Sequence, residues 1–336
     1  KVAVLGSGVM GTGIACHLAN VGMDVLMLDI VPRDIADDAP KAKRDSIAAA
    51  SLKAALKSKP APLYLKDYAK RITVGNLDDD LHKIKDYDWI LEVVIERLDI
   101  KQSLFAKVDE HRSKGSLVTS NTSGIPIHMM AEGRSDDFRA HFCGTHFFNP
   151  PRYLRLLEII PTADTSSEVT DFFMHFGDVV LGKKTVLCKD TPGFIANMVG
   201  VFGLAKILEL TEELGLTISE VDKITGPPVG RPKTGTFRLA DLVGIDVIDK
   251  VMKGLKANAP DDTMVQEVRM PDYFNYLVEQ NYLGDKTGKG FYHKTKERDE
   301  NGRSIINGLN LNTKEHEPTS RPKLASLSLA KQVDDL

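Results

Sequence analysis

The chain has 336 residues with 42% hydrophobic and 27% charged side chains and a net charge of −3, an ordinary make-up for a soluble globular protein of about two domains. That balance gives no global reason to expect nucleic acid or an anionic membrane as a partner, and no apolar run approaches the roughly 18–20 residues of a membrane span. Three cysteines, Cys16, Cys143 and Cys188, lie far apart without a C-x-x-C pair, which favours a reducing compartment and no structural zinc.

The sequence opens on Lys1, one residue before a strand pattern, so any start methionine or targeting segment is expected to lie outside it. V-A-V-L (2–5) and V-L-M-L (25–28) read as buried strands, and 9–22 has helical character between them; together they make a βαβ unit. A helix is expected at 41–59, ended by Pro60 and Pro62, with a short one near 63–70. Strands follow at 72–74, 88–94, 116–120, 141–148, 154–160 and 185–188, with helices near 98–112, 126–132 and 167–180. The alternation predicts a mostly parallel, doubly wound α/β sheet of Rossmann type. After D-T-P-G-F (190–194) strand signals become scarce, and 193–214, 218–225, 236–257 and 271–282 read as helices. The expected organisation is therefore a nucleotide domain at 1–190 and an all-α helical domain at 191–293. A polar extension follows at 294–336, without periodicity for a core element. Repeats and low-complexity tracts are absent.

Residues 6–11 read G-S-G-V-M-G, directly after the first strand and opening the first helix. Gly6 suits the tight turn, Gly8 a close approach of backbone to a pyrophosphate, and Gly11 the packing of helix on strand. Ser7, Val9 and Met10 complete the loop. Such a fingerprint alone is weak, but here an acid, Asp29, ends the second strand 23 residues beyond Gly6, placed for a ribose 2′-hydroxyl. An acid there repels a 2′-phosphate, and the next residue is Ile30, so NAD is preferred over NADP.

With nine histidines, most must be bystanders. His141 and His146 are five apart on one expected strand, hence on opposite faces, and no H-E-x-x-H or Cys/His cluster exists, so no metal site is expected. His146 alone reads most simply as a hydrogen-bonded histidine at a strand end. Glu158 says more. In L-R-L-L-E-I-I it shares a face with Leu154, Leu156 and Ile160, where a carboxylate must find a partner or take up a proton; a histidine that it orients is a natural one. An exposed edge strand would be the bland alternative. Ser123, in S-N-T-S-G, lies at the carboxyl end of a strand, where ligands bind in such sheets, although an N-cap role serves it as well. Asn197, one turn into a helix, is unremarkable by itself. The basic run at 41–71, with Lys53, Lys57, Lys59, Lys66, Lys70 and Arg71, is either a solvated helix face or a holder of an acyl carrier's phosphates.

Several stretches together resemble one family, the NAD-dependent L-3-hydroxyacyl-CoA dehydrogenases of fatty-acid β-oxidation. They are V-A-V-L-G-S-G-V-M-G, L-E-V-V-I-E-R-L-D-I-K, S-N-T-S, T-H-F-F-N-P-P, L-L-E-I-I, K-D-T-P-G-F-I-A-N and G-D-K-T-G-K-G-F-Y, in the family's order across about residues 1–293. The resemblance implies His146 as general base with Glu158 pairing to its ring, and Ser123 and Asn197 as hydrogen-bond partners of the reacting oxygens. It implies cofactor contacts at Asp29, Glu96, Lys101, Ser123, Asn149 and Lys286. Ser51 would lie on the helix touching coenzyme A, where the family's basic position falls on Ser58, flanked by Lys57 and Lys59. An acyl-CoA thioester is the implied substrate, and the helical domain implies a homodimer. The linker at 226–241 and the tail S-L-S-L-A-K-Q-V-D-D-L resemble bacterial multifunctional forms, in which an enoyl-CoA hydratase domain follows; a bacterial cytoplasm is then the expected location. Competing readings are a dehydrogenase of a free hydroxy acid, as in the gulonate dehydrogenase branch, and a non-catalytic NAD-binding protein of the lens-crystallin kind.

Overall fold

The computed structural model describes residues 1–319, 322 and 324–330. The chain divides into two compact units, Lys1–Ile195 and Ala196–Leu336.

In the first unit, β1 (Val2–Leu5), α1 (Val9–Asn20) and β2 (Val25–Asp29) form the opening βαβ. Then come α2 (Lys41–Arg44), α3 (Ser46–Ala55), β3 (Ile72–Asn76), α4 (Leu77–Asp80), β4 (Trp89–Glu92), α5 (Leu98–His111), β5 (Leu117–Ser120), α6 (Ile127–Ala131) and α7 (Asp136–Ala140). The unit continues with β6 (Phe142–Phe147), β7 (Leu156–Pro161), α8 (Ser167–Val179) and β8 (Lys184–Leu187). The strands make one sheet in the order β3-β2-β1-β4-β5-β6-β7-β8. Every neighbouring pair is parallel except β6 and β7.

The near-continuous apolar strands follow from burial on both sheet faces. Val2, Val4, Val25 and Met27 pack into a cluster with α1 residues and Phe173 of α8, whereas Ala3, Leu5, Leu26 and Leu28 point into another with Phe105 of α5 and Met130 of α6. Side chains two apart thus share a layer, as strand geometry requires. The expected doubly wound α/β architecture is what folds.

Several expected boundaries change. The 41–59 helix is two helices that break at Asp45, and the second ends at Ala55. Strand β7 starts at Leu156, leaving Leu154 exposed before it, so Leu154 does not share the face of Glu158. The 63–70 segment is a 3-10 turn at Lys66–Arg71, and α7 was not anticipated.

The second unit contains α9 (Ala196–Glu213), α10 (Ile218–Ile224), α11 (Phe237–Val243), α12 (Ile245–Asn258), α13 (Thr263–Glu267) and α14 (Asp272–Glu279). The helix expected over 236–257 is interrupted because Gly244 takes φ +102°, a conformation that non-glycine residues avoid. Residues 294–319, expected to lack core elements, instead contribute to an antiparallel sheet ordered β11-β10-β9. Its strands are β9 (Tyr292–Arg298), β10 (Ser304–Leu309) and β11 (His316–Pro318), and α15 (Ala325–Ala330) follows. Leu309 and Phe291 enter the unit's core with Leu208, Phe237, Tyr273 and Phe274. Within the tail stretch that suggested a following domain, 331–336 lie outside the described residues. Among the described residues, no helix is long and apolar enough to cross a membrane.

Candidate active site

The glycine loop follows β1, Asp29 ends β2, Ser123 lies just beyond β5, and His146 stands on β6 opposite Glu158 on β7. Gly6 sits at φ +109°, and a Cβ there would meet the Val93 carbonyl at 2.5 Å. A Cβ on Gly11 would meet the Gly6 carbonyl at 2.0 Å, so Gly11 is required by the turn itself more than by helix–strand packing. Beside Gly8 there is open space. Gly8 also caps α1 without any side-chain hydrogen bond, and no acid occupies the first turn. A twelve-residue helix therefore presents unsatisfied N–H groups at an open glycine, the arrangement that receives a phosphate. Val9 is exposed at that helix start and Met10 half-buried.

Asp29 is turned onto the same loop. Its Oδ2 accepts from Ser7 N (2.6 Å) and Ser7 Oγ (2.5 Å), and its Oδ1 from Ile30 N (2.7 Å). Ser7 Oγ also lies 3.4 Å from Ser51 Oγ on α3. The donors fix the acid's orientation while its oxygens keep lone pairs for a ribose hydroxyl. These features fit a dinucleotide bearing no 2′-phosphate.

His146 and Glu158 face each other directly across the antiparallel β6–β7 pair. Because β7 is an interior strand, flanked by β6 and β8, Glu158 is fully buried and not on an exposed edge. Its Oε2 lies 2.8 Å from His146 Nδ1, and its Oε1 accepts from Ile195 N at 3.1 Å. The Cys188 thiol stands beside it, pushed up to about 12 by burial and then by the Glu158 charge. A carboxylate acting as acceptor fixes the proton on Nδ1, which leaves Nε2 as the ring's basic atom. Nε2 lies 3.1 Å from Ser123 Oγ. Phe148 and Phe194 pack on the ring with centroids at 4.5 and 5.6 Å, and His146 is 4% exposed. His141 is no strand partner at all: it follows α7, and its Nδ1 bonds to the Asp137 carbonyl at 2.7 Å.

Ser123 is held by Glu96. Oε1 of Glu96 accepts from Thr122 Oγ1 (2.5 Å), Ser123 N (2.9 Å) and Gly124 N (3.0 Å). Burial raises its pKa, but the Lys101 ammonium, the Thr122 hydroxyl and the two N–H groups outweigh that and hold it below the usual range. Lys101 is itself 1% exposed, with Nζ 2.7 and 2.9 Å from the two oxygens of Glu92 and 3.3 Å from Glu96 Oε2. Its ammonium is thus already paired, and it reaches the site through Glu96. Glu92, fully buried, also accepts from Ser120 Oγ (2.5 Å) and Val94 N (2.6 Å). Sequence reasoning passed over Glu92, Thr122, Phe148 and Phe194. The signal for Glu92 was available, an acid ending an apolar strand.

Asn149 lines a cavity of about 610 Å³ with Gly8, Ser51, Ser58 and Lys59; Lys57 is not on its wall. Asn197 and Lys286 belong to the second unit. Asn197 lies in the first turn of α9, and Lys286 Nζ donates to Asp246 Oδ1. Among the described residues, no group of three His, Cys, Asp or Glu side chains could hold a metal ion.

Residues 1–191 match the family model "3-hydroxyacyl-CoA dehydrogenase, NAD binding domain", and 193–294 match "3-hydroxyacyl-CoA dehydrogenase, C-terminal domain". A Bacillus subtilis (strain 168) protein described as "Probable 3-hydroxyacyl-CoA dehydrogenase" is 50% identical over 302 residues, covering 88% of this chain and 38% of the relative. A Deinococcus radiodurans protein of the same description is 48% identical over 297 residues, 88% of this chain and 83% of the relative. The solved 3-hydroxybutyryl-CoA dehydrogenase of Escherichia coli K12 superposes with TM-score 0.75 at 30% identity, over 89% of this chain and 60% of that one. This chain thus spans well under half of the Bacillus relative's length and most of the Deinococcus relative's. With its NAD-binding unit and C-terminal domain both matched, the chain belongs to the 3-hydroxyacyl-CoA dehydrogenase family.

Proposed function

We propose that the chain oxidises a (S)-3-hydroxyacyl-CoA thioester to the 3-oxoacyl-CoA, a step of fatty-acid β-oxidation. The observation that carries this reading is the buried Glu158–His146–Ser123 line, with its basic nitrogen directed at the Ser123 hydroxyl. NAD, when bound, supplies the hydride acceptor; the glycine loop, the α1 N-terminus and Asp29 would hold it. His146 Nε2 takes the proton from the substrate 3-hydroxyl. Glu158 keeps Nδ1 protonated and stabilises the imidazolium that forms. Ser123 Oγ, fixed through its backbone to Glu96, positions the reacting oxygen against Nε2. Phe148 and Phe194 restrict water around the ring, which strengthens the charge interaction inside. In the reverse direction the imidazolium returns the proton.

The partial coverage of the Bacillus relative supports reading this chain as the dehydrogenase portion of a longer protein; a hydratase domain as its partner rests on the resemblance of the tail. The deciding experiment follows NADH oxidation by the intact chain with acetoacetyl-CoA and, separately, with a free 3-keto acid. Turnover of the thioester is expected. Turnover of the free acid alone would favour the hydroxy-acid branch, and turnover of neither would support the non-catalytic alternative.

A further inference from the structure

Strand β6 outruns its neighbour. The parallel ladder between β5 and β6 pairs Val118 with Phe142, Thr119 with Cys143 and Ser120 with Gly144, and ends there. Strand β6 continues through Thr145, His146 and Phe147, so the base stands beyond the paired part of β5. On its other side this overhang is held by β7, where His146 pairs with Glu158 and Phe147 with Leu157. The side facing β5 needs another partner, because a buried N–H must be hydrogen-bonded and Phe147 is 1% exposed. Asn121 supplies it: its Oδ1 accepts from Phe147 N at 2.8 Å.

Asn121 is itself buried, and its own N–H donates to the Glu92 carbonyl of β4 at 2.9 Å. It stands two residues before Ser123. One side chain therefore joins the loop that carries the hydroxyl to the strand that carries the imidazole. The S-N-T-S stretch divides its work: Ser120 Oγ donates to Glu92, Thr122 Oγ1 to Glu96, and Ser123 Oγ meets His146 Nε2. Asn121 reaches the backbone next to the base. A second side-chain tie links the same two strands, Thr145 Oγ1 to Thr119 Oγ1 at 2.9 Å. Thr119 already pairs within the ladder, so that tie repeats a connection, whereas Asn121 extends the connection past its end. We propose that Asn121 is a positioning residue for the proton transfer, acting through the Phe147 backbone to keep His146 Nε2 in register with Ser123 Oγ and the substrate hydroxyl. Its carboxamide offers an acceptor and adds no charge to a segment already bonded to two glutamates. The inference rests on the reading of His146 as the base and adds the residue that sets its placement.

The test follows NADH oxidation with acetoacetyl-CoA. Rates are expressed per NADH-binding site, counted by fluorescence titration, so that misfolded protein does not enter kcat. For Asn121→Ala, kcat per site is expected to fall by about 10–10²-fold, the upper figure being the scale of a misplacement of roughly 1 Å. KM for both substrates should change by no more than about twofold, since binding contacts are untouched. Thr145→Val is the control. It removes a buried hydrogen bond from the same strand pair, but its side chain leaves the strand on the face opposite to that of His146. Its urea midpoint should fall as that of Asn121→Ala does, with kcat per site at the wild-type value. Should Asn121→Ala bind no NADH, Asn121→Ser, which keeps a hydroxyl acceptor but not the reach, replaces it under the same criteria. An Asn121 variant with wild-type kcat per site overturns the inference. So does a Thr145→Val enzyme that loses kcat to the same extent, because any loosening of the β5–β6 pair would then suffice. Wild-type protein inert toward acetoacetyl-CoA would instead refute the dehydrogenase reading itself.

Discussion

Two fully buried glutamates end up with opposite fates in the same sheet. Glu92, at the end of β4, meets the Lys101 amine through both its oxygens and fills its remaining capacity with Ser120 and Val94. That cluster is built of paired groups, and Lys101 reaches the site through Glu96. Glu158 meets the His146 ring, which has a second nitrogen, and that nitrogen stays directed at Ser123. One carboxylate holds loops together and the other tunes a base. The partner chosen, not the burial, separates structure from chemistry.

The comparison is broken most severely by His146→Ala. Loss of a positioned general base should lower kcat by about 10²–10⁴-fold, and the urea midpoint should fall as well, because Glu158 stays buried without its ring partner. An enzyme keeping most of its kcat would remove His146 from the mechanism. Lys101→Met should act first on stability. It leaves Glu92 buried and unpaired, a cost of about 3–5 kcal/mol, read as a lower urea midpoint. The double variant Lys101→Met, Glu92→Leu should recover most of that stability, because the uncompensated charge has gone. No recovery would mean that the pair's role in holding Ser120 and Val94 outweighs its charge. Glu158→Gln lies between these. It keeps shape but removes the charge that favours imidazolium, so kcat should fall by about 10²-fold with KM little changed. A fall no larger than twofold would reduce Glu158 to a packing residue.

How far the sequence carried this comparison depends on spacing. His146 and Glu158 are twelve residues apart on adjacent antiparallel strands, so an acid on an aliphatic strand suggested a histidine partner, and the family resemblance supplied which one. Glu92 offered the same misfit in L-E-V-V. Its partner lies nine residues on, across a strand-to-helix turn, where Lys101 resembled any helical lysine. The G-S-G-V-M-G turn was legible because glycines there are forced by clashes at Gly6 and Gly11. The breaks at Asp45 (φ −85°, ψ 3°) and Gly244 (φ +102°) were hidden inside good helical periodicity, since one residue out of helical geometry leaves no trace in an apolar pattern. Strands β9 and β11 were missed because they are mostly exposed, and an exposed strand has no face to alternate against.

The smallest effect concerns a second buried histidine that lacks a carboxylate. His17, 3% exposed, bonds through Nε2 to the Leu181 carbonyl at 3.0 Å. Burial lowers its pKa to about 4, and the Lys183 charge adds to that. The unfolded chain therefore binds more protons than the folded one between about pH 4 and the ordinary value of 6.5, and stability falls as pH drops through that window. Replacing His17 by Gln keeps a donor for Leu181 O but removes the titration. Urea midpoints measured from pH 6.5 to 4.5 should decline less steeply for His17→Gln than for wild type, by on the order of 1–2 kcal/mol across the range. Activity at pH 7 should be unchanged, since His17 is neutral there and makes no contact with the Glu158–His146–Ser123 line. Parallel stability profiles would mean that His17 titrates alike in the folded and unfolded chain. A histidine buried beside cations stays neutral and structural; only the one given a carboxylate at one nitrogen and a hydroxyl at the other is equipped to move a proton.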